Sequence, residues 1–300
     1  MKKINKGLLV SVLVATFTLG VVGVANAATA TVNLGTASSF AVLGGTAVTN
    51  VPTSVIKGDA GLSPAAGSNY AGLTQAQVTG TIFAVDTTGP GGSVANPGLL
   101  ITAKNDLTAA YIDASGRTPA TVLTGSDNQL GGQTLIPGVY SFSHATTANL
   151  TAASPLTLSG DGVFILQASS ELVTASTSSV VLTNGAQACN VFWTVPSSAS
   201  SLGSNSTFVG TIMALTSINL DTAATLNGRV LAQNAAVTLH SNTITLPTCT
   251  IPTATTAPKL PNTGFAPQNS IAPLLAIGIL ALVGIVAFLS FLIIRNKHII

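Results

Sequence analysis

The chain has 300 residues, of which 47% are hydrophobic and only 6% charged, with a formal net charge of +2. Soluble domains carry charge on about a quarter of their residues, and the stretch 216–233, with one Asp and one Arg, is too weakly charged to hold an ordinary ligand by ion pairing. Between Ala28 and Thr263 there are five Lys/Arg against eight Asp/Glu, which argues against nucleic acid as a partner, because phosphate binding needs clustered basic residues.

The first element, Met1 to Ala27, reads as a secretory signal. Lys2, Lys3 and Lys6 precede an apolar run from Leu8 to Val24, and Ala25-Asn26-Ala27 supplies a cleavage site. The mature chain then begins near Ala28; the other reading is an uncleaved anchor. Residues 28–249 suffice for one large domain. It contains one predicted helix, with Asn96 as N-cap and Pro97 as first residue. Leu100, Ala103, Leu107, Ala110 and Tyr111 form an apolar stripe at helical spacing, and Gly116 ends it. Leu107 and Tyr111 are packing residues.

Four phrases then recur: "GVFILQ" at 162–167, "NVFWTV" at 190–195, "GTIMAL" at 210–215 and "GRVLAQ" at 228–233, starting 28, 20 and 18 residues apart. A similar, shrinking period predicts a solenoid of strands and turns. The third and fourth positions are both bulky and apolar, and neighbours in a strand face opposite sides. This face therefore needs cover on both sides, from the solenoid core and from the helix. A second phrase type, "PLTLS" (155–159), "SVVLT" (179–183), "SINLD" (217–221) and "AVTLH" (236–240), mostly alternates apolar and polar. That predicts strands with one face in the core and Thr157, Asn219 and Thr238 facing water.

A third pattern runs from Thr222 to Thr225, six residues before Gly228, and from Ser204 to Thr207, six residues before Gly210. The shared offset stacks Thr207 beside Thr225 at about the 4.7–4.9 Å strand spacing, with Phe208 and Leu226 turned inward. Thr174 to Thr177 repeats the letters without the offset. The plainer explanation is that threonine is simply favoured on exposed strands.

Cys189 and Cys249 are the two cysteines of a chain read as exported. A disulfide is the natural pairing, and on the chain-entropy model it stabilises by about 4 kcal/mol; two free thiols are the alternative. There is no CxxC and the three histidines are far apart, so neither a metal site nor a cofactor is expected. Asp59, Asp86, Asp127, Asp161, Glu171 and Asp221 are scattered along the chain, without the grouped carboxylates or nucleophile–base pair that hydrolytic chemistry needs. No catalytic residue is assigned, and an enzyme is not expected.

Residues 250–259, "TIPTATTAPK", read as an extended stalk of roughly 30 Å at about 3.1 Å per residue. Leu260-Pro261-Asn262-Thr263-Gly264 follows, then an apolar run over 271–294 long enough to span a bilayer, then Arg295, Lys297 and His298 in a basic tail at 295–300. In this order the three parts resemble a sortase cell-wall sorting signal. The resemblance implies that a sortase cleaves between Thr263 and Gly264 and joins Thr263 to a peptidoglycan amine, with the membrane as partner before sorting. The alternative is a protein that stays anchored in the membrane.

"LGTASSFAVLGGTAVTN" (34–50), "IKGDAGLSP" (56–64), "IPGVYSF" (136–142), "NVFWTV" and the stretch from Gly210 to Leu239 resemble the bacterial and fungal ice-binding protein family. The resemblance covers about Leu34 to Leu246. It implies a mostly β fold, a discontinuous β-solenoid of triangular section with one long helix alongside. It also implies ice as the partner, through one flat face. Some members carry a Thr-(Ala/Gly)-x-(Thr/Asn) motif there, matched here by Thr222 to Thr225 and Thr174 to Thr177, while Ser204 to Thr207 departs from it. The expected contact residues are thus Thr174, Thr177, Ser204, Thr207, Thr222 and Thr225. The competing function is a surface adhesin or structural domain on the same fold, without ice activity.

Overall fold

The four apolar phrases become neighbours in one parallel sheet: Phe164–Gln167, Val191–Val195, Thr207–Ala214 and Thr225–Ala232 lie side by side. The computed structural model describes residues 29–250 apart from 52, 119–120, 124–128, 143–146 and 153. The signal at 1–27, nearly all of the stalk, the sorting motif, the apolar run at 271–294 and the tail lie outside the described residues. No helix among the described residues is long and apolar enough to cross a membrane.

Successive residues in these strands go to two different cores. Phe164, Trp193, Ile212 and Val230 fill the solenoid interior, whereas Ile165, Phe192, Met213 and Leu231 pack toward the helix. Matching the phrases by their first letter sets Phe192 beside Phe164 and Ile212, and the structure corrects this. Trp193 pairs with Leu166 and Ile212, and Phe192 with Ile165 and Thr211. A slip of one residue exchanges the two faces of a strand. It brings Trp193 inside, where its Nε1 donates to the Val209 carbonyl at 2.9 Å and its ring lies 4.8 Å from that of Phe208. A buried indole needs that acceptor.

The helix runs Pro97–Gly116, and the Asn96 side chain accepts from the Leu99 N–H at 3.0 Å. Leu100, Ala103, Leu107 and Ala110 are buried as the stripe predicts, joined by Ala114, and Tyr111 is half-buried. Alanines on this stripe let the helix close onto Phe40, Leu43, Phe192 and Met213. Lys104 is buried too: its position, four after Leu100, falls on the stripe, although a lysine side chain gives no sign of burial. Its Nζ donates to the carbonyls of Ala232 at 2.6 Å and Gln233 at 3.0 Å, and burial lowers its pKa from 10.5 to about 7. At the far end, Gln167 Nε2 donates to the carbonyls of Ala114, Ser115 and Arg117, satisfying acceptors that a helix terminus leaves open.

The alternating phrases divide between two other faces. Ile218–Leu220 and Val237–Leu239 belong to a seven-stranded parallel sheet that also holds Glu171–Thr174, Ala199–Leu202 and Val48–Asn50. Leu156–Ser159 and Val180–Thr183 instead pair with each other, and the first also with Thr134–Leu135, in a three-stranded sheet on the third face. Both faces are covered on one side only, so both read as the same alternation. Sequence alone merges them.

The third face is completed by bent strands. Thr207–Ala214 and Thr225–Ala232 each turn from it onto the helix-covered face at Gly210 and Gly228. Gly210 has φ +106°, and a Cβ on Gly228 would lie 1.9 Å from the Gly210 carbonyl oxygen. No side chain fits that corner, which explains the glycine opening each of these two phrases. Thr243–Thr245 and Val55–Lys57 extend the face further.

That last pairing is a seam. Phe40–Gly44 pairs with Thr225–Ala232, Val48–Asn50 with Val237–Leu239, and Val55–Lys57 with Thr243–Thr245. The N-terminal coils therefore stack on the final C-terminal coil, and the solenoid is continuous in space but not in sequence.

Candidate functional site

Between the seven-stranded face and the third face the chain turns short corners at 175–178, 203–206, 221–224 and, one residue shorter, 240–242. Two residues before the next strand position each corner takes a left-handed conformation: Thr177 (φ 61°), Asn205 (57°), Ala223 (59°) and Ser241 (54°). The corners are hydrogen-bonded in series, from Thr177 N–H to Ser204 O at 2.8 Å, Asn205 N–H to Thr222 O at 3.0 Å, and Ala223 N–H to His240 O at 3.0 Å. Such a stack fixes the register of the side chains it carries.

Two rows result. The corner tips carry Ser176, Ser204, Thr222 and His240. Just past the corner, Ser179 is bridged to Thr207, Thr207 pairs with Thr225, and Thr225 with Thr243. Thr207 and Thr225 are exposed, while Phe208 and Leu226 are buried beneath them. Thr225 Oγ1 donates to Thr207 Oγ1 at 3.4 Å or to the Ser206 carbonyl at 3.2 Å, which steadies the hydroxyls without withdrawing them from the surface. Neither Ser179, Thr207, Thr225 nor Thr243 is charged; Lys57 stands beyond the row, on the neighbouring strand Val55–Lys57.

The structure moves the remaining rung. Thr174 pairs with Leu202, a core position, so its side chain is buried and its hydroxyl accepts from the Gly203 N–H at 2.9 Å. Thr177 is exposed but is the left-handed corner residue, equivalent to Asn205 and not to Thr207. Matching letters placed the motif two residues early, and the positions in register with Ser204 and Thr207 are Ser176 and Ser179. Sequence reading also passed over Thr243. The usable signal is the spacing from the inward residues Thr174, Leu202, Leu220 and Leu239, which the shortened last corner offsets by one.

The outer edge of this face is crossed by a strap. Residues 246–250 leave the strand Thr243–Thr245, and Cys249 is joined to Cys189 by a disulfide with a Cα–Cα distance of 5.7 Å. Gln187 brackets Thr250 on both sides, accepting from its N–H at 2.7 Å and donating to its carbonyl at 3.0 Å. A groove of about 720 Å³ lies between strap and ladder, lined by Thr207, Thr225, Asn227, Thr243 and Thr245 on one side and Leu246, Thr248 and Thr250 on the other. No group of three or more potential metal ligands occurs among the described residues.

A family model described as ice-binding-like matches residues 42–245. The chain belongs to the ice-binding-like family. It is 42% identical over 218 residues to an ice-binding protein of Flavobacterium frigoris, covering 72% of this chain and 76% of the relative. It is 46% identical over 214 residues to one of Nostoc, covering 70% and 72%. Among solved structures, a glycosylated ice-binding protein from an Arctic yeast superposes with a TM-score of 0.66 at 32% identity, covering 75% of this chain and 97% of that one. A domain of an ice-binding protein from Shewanella frigidimarina gives 0.64 at 29%, covering 74% and 100%. The ice-binding-like match includes every corner and both rows. It ends at Thr245, where the strap begins.

Proposed function

We propose that this chain is an exported surface protein that adsorbs to ice through the hydroxyl rows beside the corners and is fixed to the cell wall through Thr263. The observation that carries the ice reading is the in-register stack of Ser179, Thr207, Thr225 and Thr243, held by hydrogen-bonded strands and free of charge. Ice offers a regular array of oxygens and nothing to ion-pair with. A surface that matches it must be rigid, repeat at a fixed interval and present hydroxyls and methyls together. Threonine does this with a side chain stiff at χ1, and the strand stack supplies a repeat of about 4.7–4.9 Å. Charged groups would hold their own hydration; here they are sparse. Many ordered waters can share the contact while each costs only about 0–2 kcal/mol of entropy. The names of the relatives agree with this reading. Wall attachment is supported by Leu260 to Gly264 standing before the apolar run and the basic tail.

The test is incorporation of the protein into a slowly growing ice hemisphere. Uptake into the ice beside an excluded control protein is the expected result. Exclusion to the same degree as the control removes the ice reading and leaves the adhesin or structural domain.

A further inference from the structure

The strap ends at the point from which the chain continues toward its C-terminal sorting signal. Without a clip, tension arriving from that side would act first on Thr243–Thr245. That strand is three residues long, and it pairs with Thr225–Asn227 on one side and Val55–Lys57 on the other. It is thus the third-face portion of the seam that joins the N-terminal coils to the rest of the solenoid. It also contains Thr243, the last threonine of the exposed row. Peeling it would open that portion of the seam and remove one end of the row together.

The disulfide changes where the tension goes. Cys249 is covalently joined to Cys189, 60 positions earlier, which stands just before the central strand Val191–Val195. The Gln187 side-chain amide grips Thr250 one residue further on, in the manner of a paired strand. The covalent loop between the two cysteines encloses Thr207, Thr225 and Thr243. We propose that the Cys189–Cys249 bond forms a mechanical clasp, with the Gln187–Thr250 bracket seating the strap beside it without bearing the load. The clasp carries tension from the C-terminal side directly into the middle of the solenoid, so that Thr243–Thr245, the seam and the hydroxyl row are bypassed. The biological use of the clasp rests on the surface-anchored reading, but the load path itself does not.

Optical-tweezers measurements on the full chain in detergent test this, with one handle at the C-terminus and the other clicked onto an azide-bearing residue replacing Thr222 at the corner tip. In the oxidised protein the first rupture should require at least twice the force seen for Cys189→Ser/Cys249→Ser. The double variant should show an early extension that the oxidised protein lacks, of no more than about 9 nm for residues 223–248 at about 3.5 Å each. Gln187→Leu in the oxidised protein should keep the high rupture force. Should the double variant not fold, wild type reduced after folding takes its place, with its circular dichroism checked against the oxidised form. Equal first-rupture forces and equal steps in the oxidised and clip-free proteins would overturn the proposal. Because neither ice nor cell wall is present, that failure is distinct from a failure of the ice or anchoring readings.

Discussion

At the scale of single residues, position in the coil decides what a threonine does, and Thr225 and Thr174 mark the extremes. Thr225 is exposed within the row, in contact with Thr207 and not with the core. A Thr225→Tyr change should therefore alter folding by no more than about 0.5 kcal/mol, while thermal hysteresis and ice shaping fall sharply because the ring stands proud of the surface. Thr238→Tyr is the control: it lies on the seven-stranded face between Asn219 and Thr49. Activity should stay near wild type, and the opposite pattern would place the ice contact on that face. Thr174→Val should behave in the other sense, costing about 1 kcal/mol in a denaturant melt with no change in ice activity. The cost is modest because the Gly203 N–H keeps its second acceptor, the Thr174 carbonyl, at 3.1 Å. The Thr207–Thr225 neighbour pair was legible in sequence because each stands three residues before a corner glycine that sterics fix. The third rung was not, because Thr174–Thr177 copies the letters of the motif at a place where the strand register puts Thr174 inward.

At the scale of elements, the helix was the most legible part of the fold, since its cap, its proline and its stripe all act locally. Lys104 breaks that legibility, sitting in the stripe of a helix that covers apolar strands. Its partners are two carbonyls at the end of a strand more than a hundred residues away, and no local rule supplies them. Burial lowers its pKa from 10.5 to about 7, which makes stability depend on pH. Below about 7 both folded and unfolded chains hold the proton and the folded state bears the full cost of a buried ammonium. Between about 7 and 10.5 the unfolded chain alone keeps it, so unfolding becomes harder as pH rises through that window. The slope cannot exceed about 1.4 kcal/mol per pH unit for one proton. Above the ordinary tyrosine range two buried groups oppose each other: Tyr70, raised by burial, keeps a proton in the folded chain that the unfolded chain loses, while Arg229, lowered by burial from 12.5 to about 10, acts with the opposite sign. Urea midpoints measured from pH 6 to 9.5 should climb in the wild type and stay flat in Lys104→Met.

At the scale of the whole molecule, the two ends of the chain and the solenoid between them must act as one device if the protein holds a cell to ice. Thr263→Ala should shift the protein from the wall to the membrane fraction; release of the wild type by detergent alone would refute covalent attachment. The sequence by itself determined that the domain is a stack of strand coils beside one helix, because hydrophobic period, capping and glycine sterics are short-range and leave their marks within a few residues. It also determined the lack of charge that suits an ice-facing surface. Which face each alternating strand joins, which of Phe192 and Trp193 enters the core, and where the N-terminal coils dock were decided only by tertiary structure. In each case the competing arrangements bury the same residues in the same alternation, and they differ only in which distant strand supplies the neighbouring hydrogen bonds. The seam shows this best. Val55–Lys57 has no local reason to lie beside Thr243–Thr245; it does so because every strand of the final coil would otherwise present an unpaired edge to water.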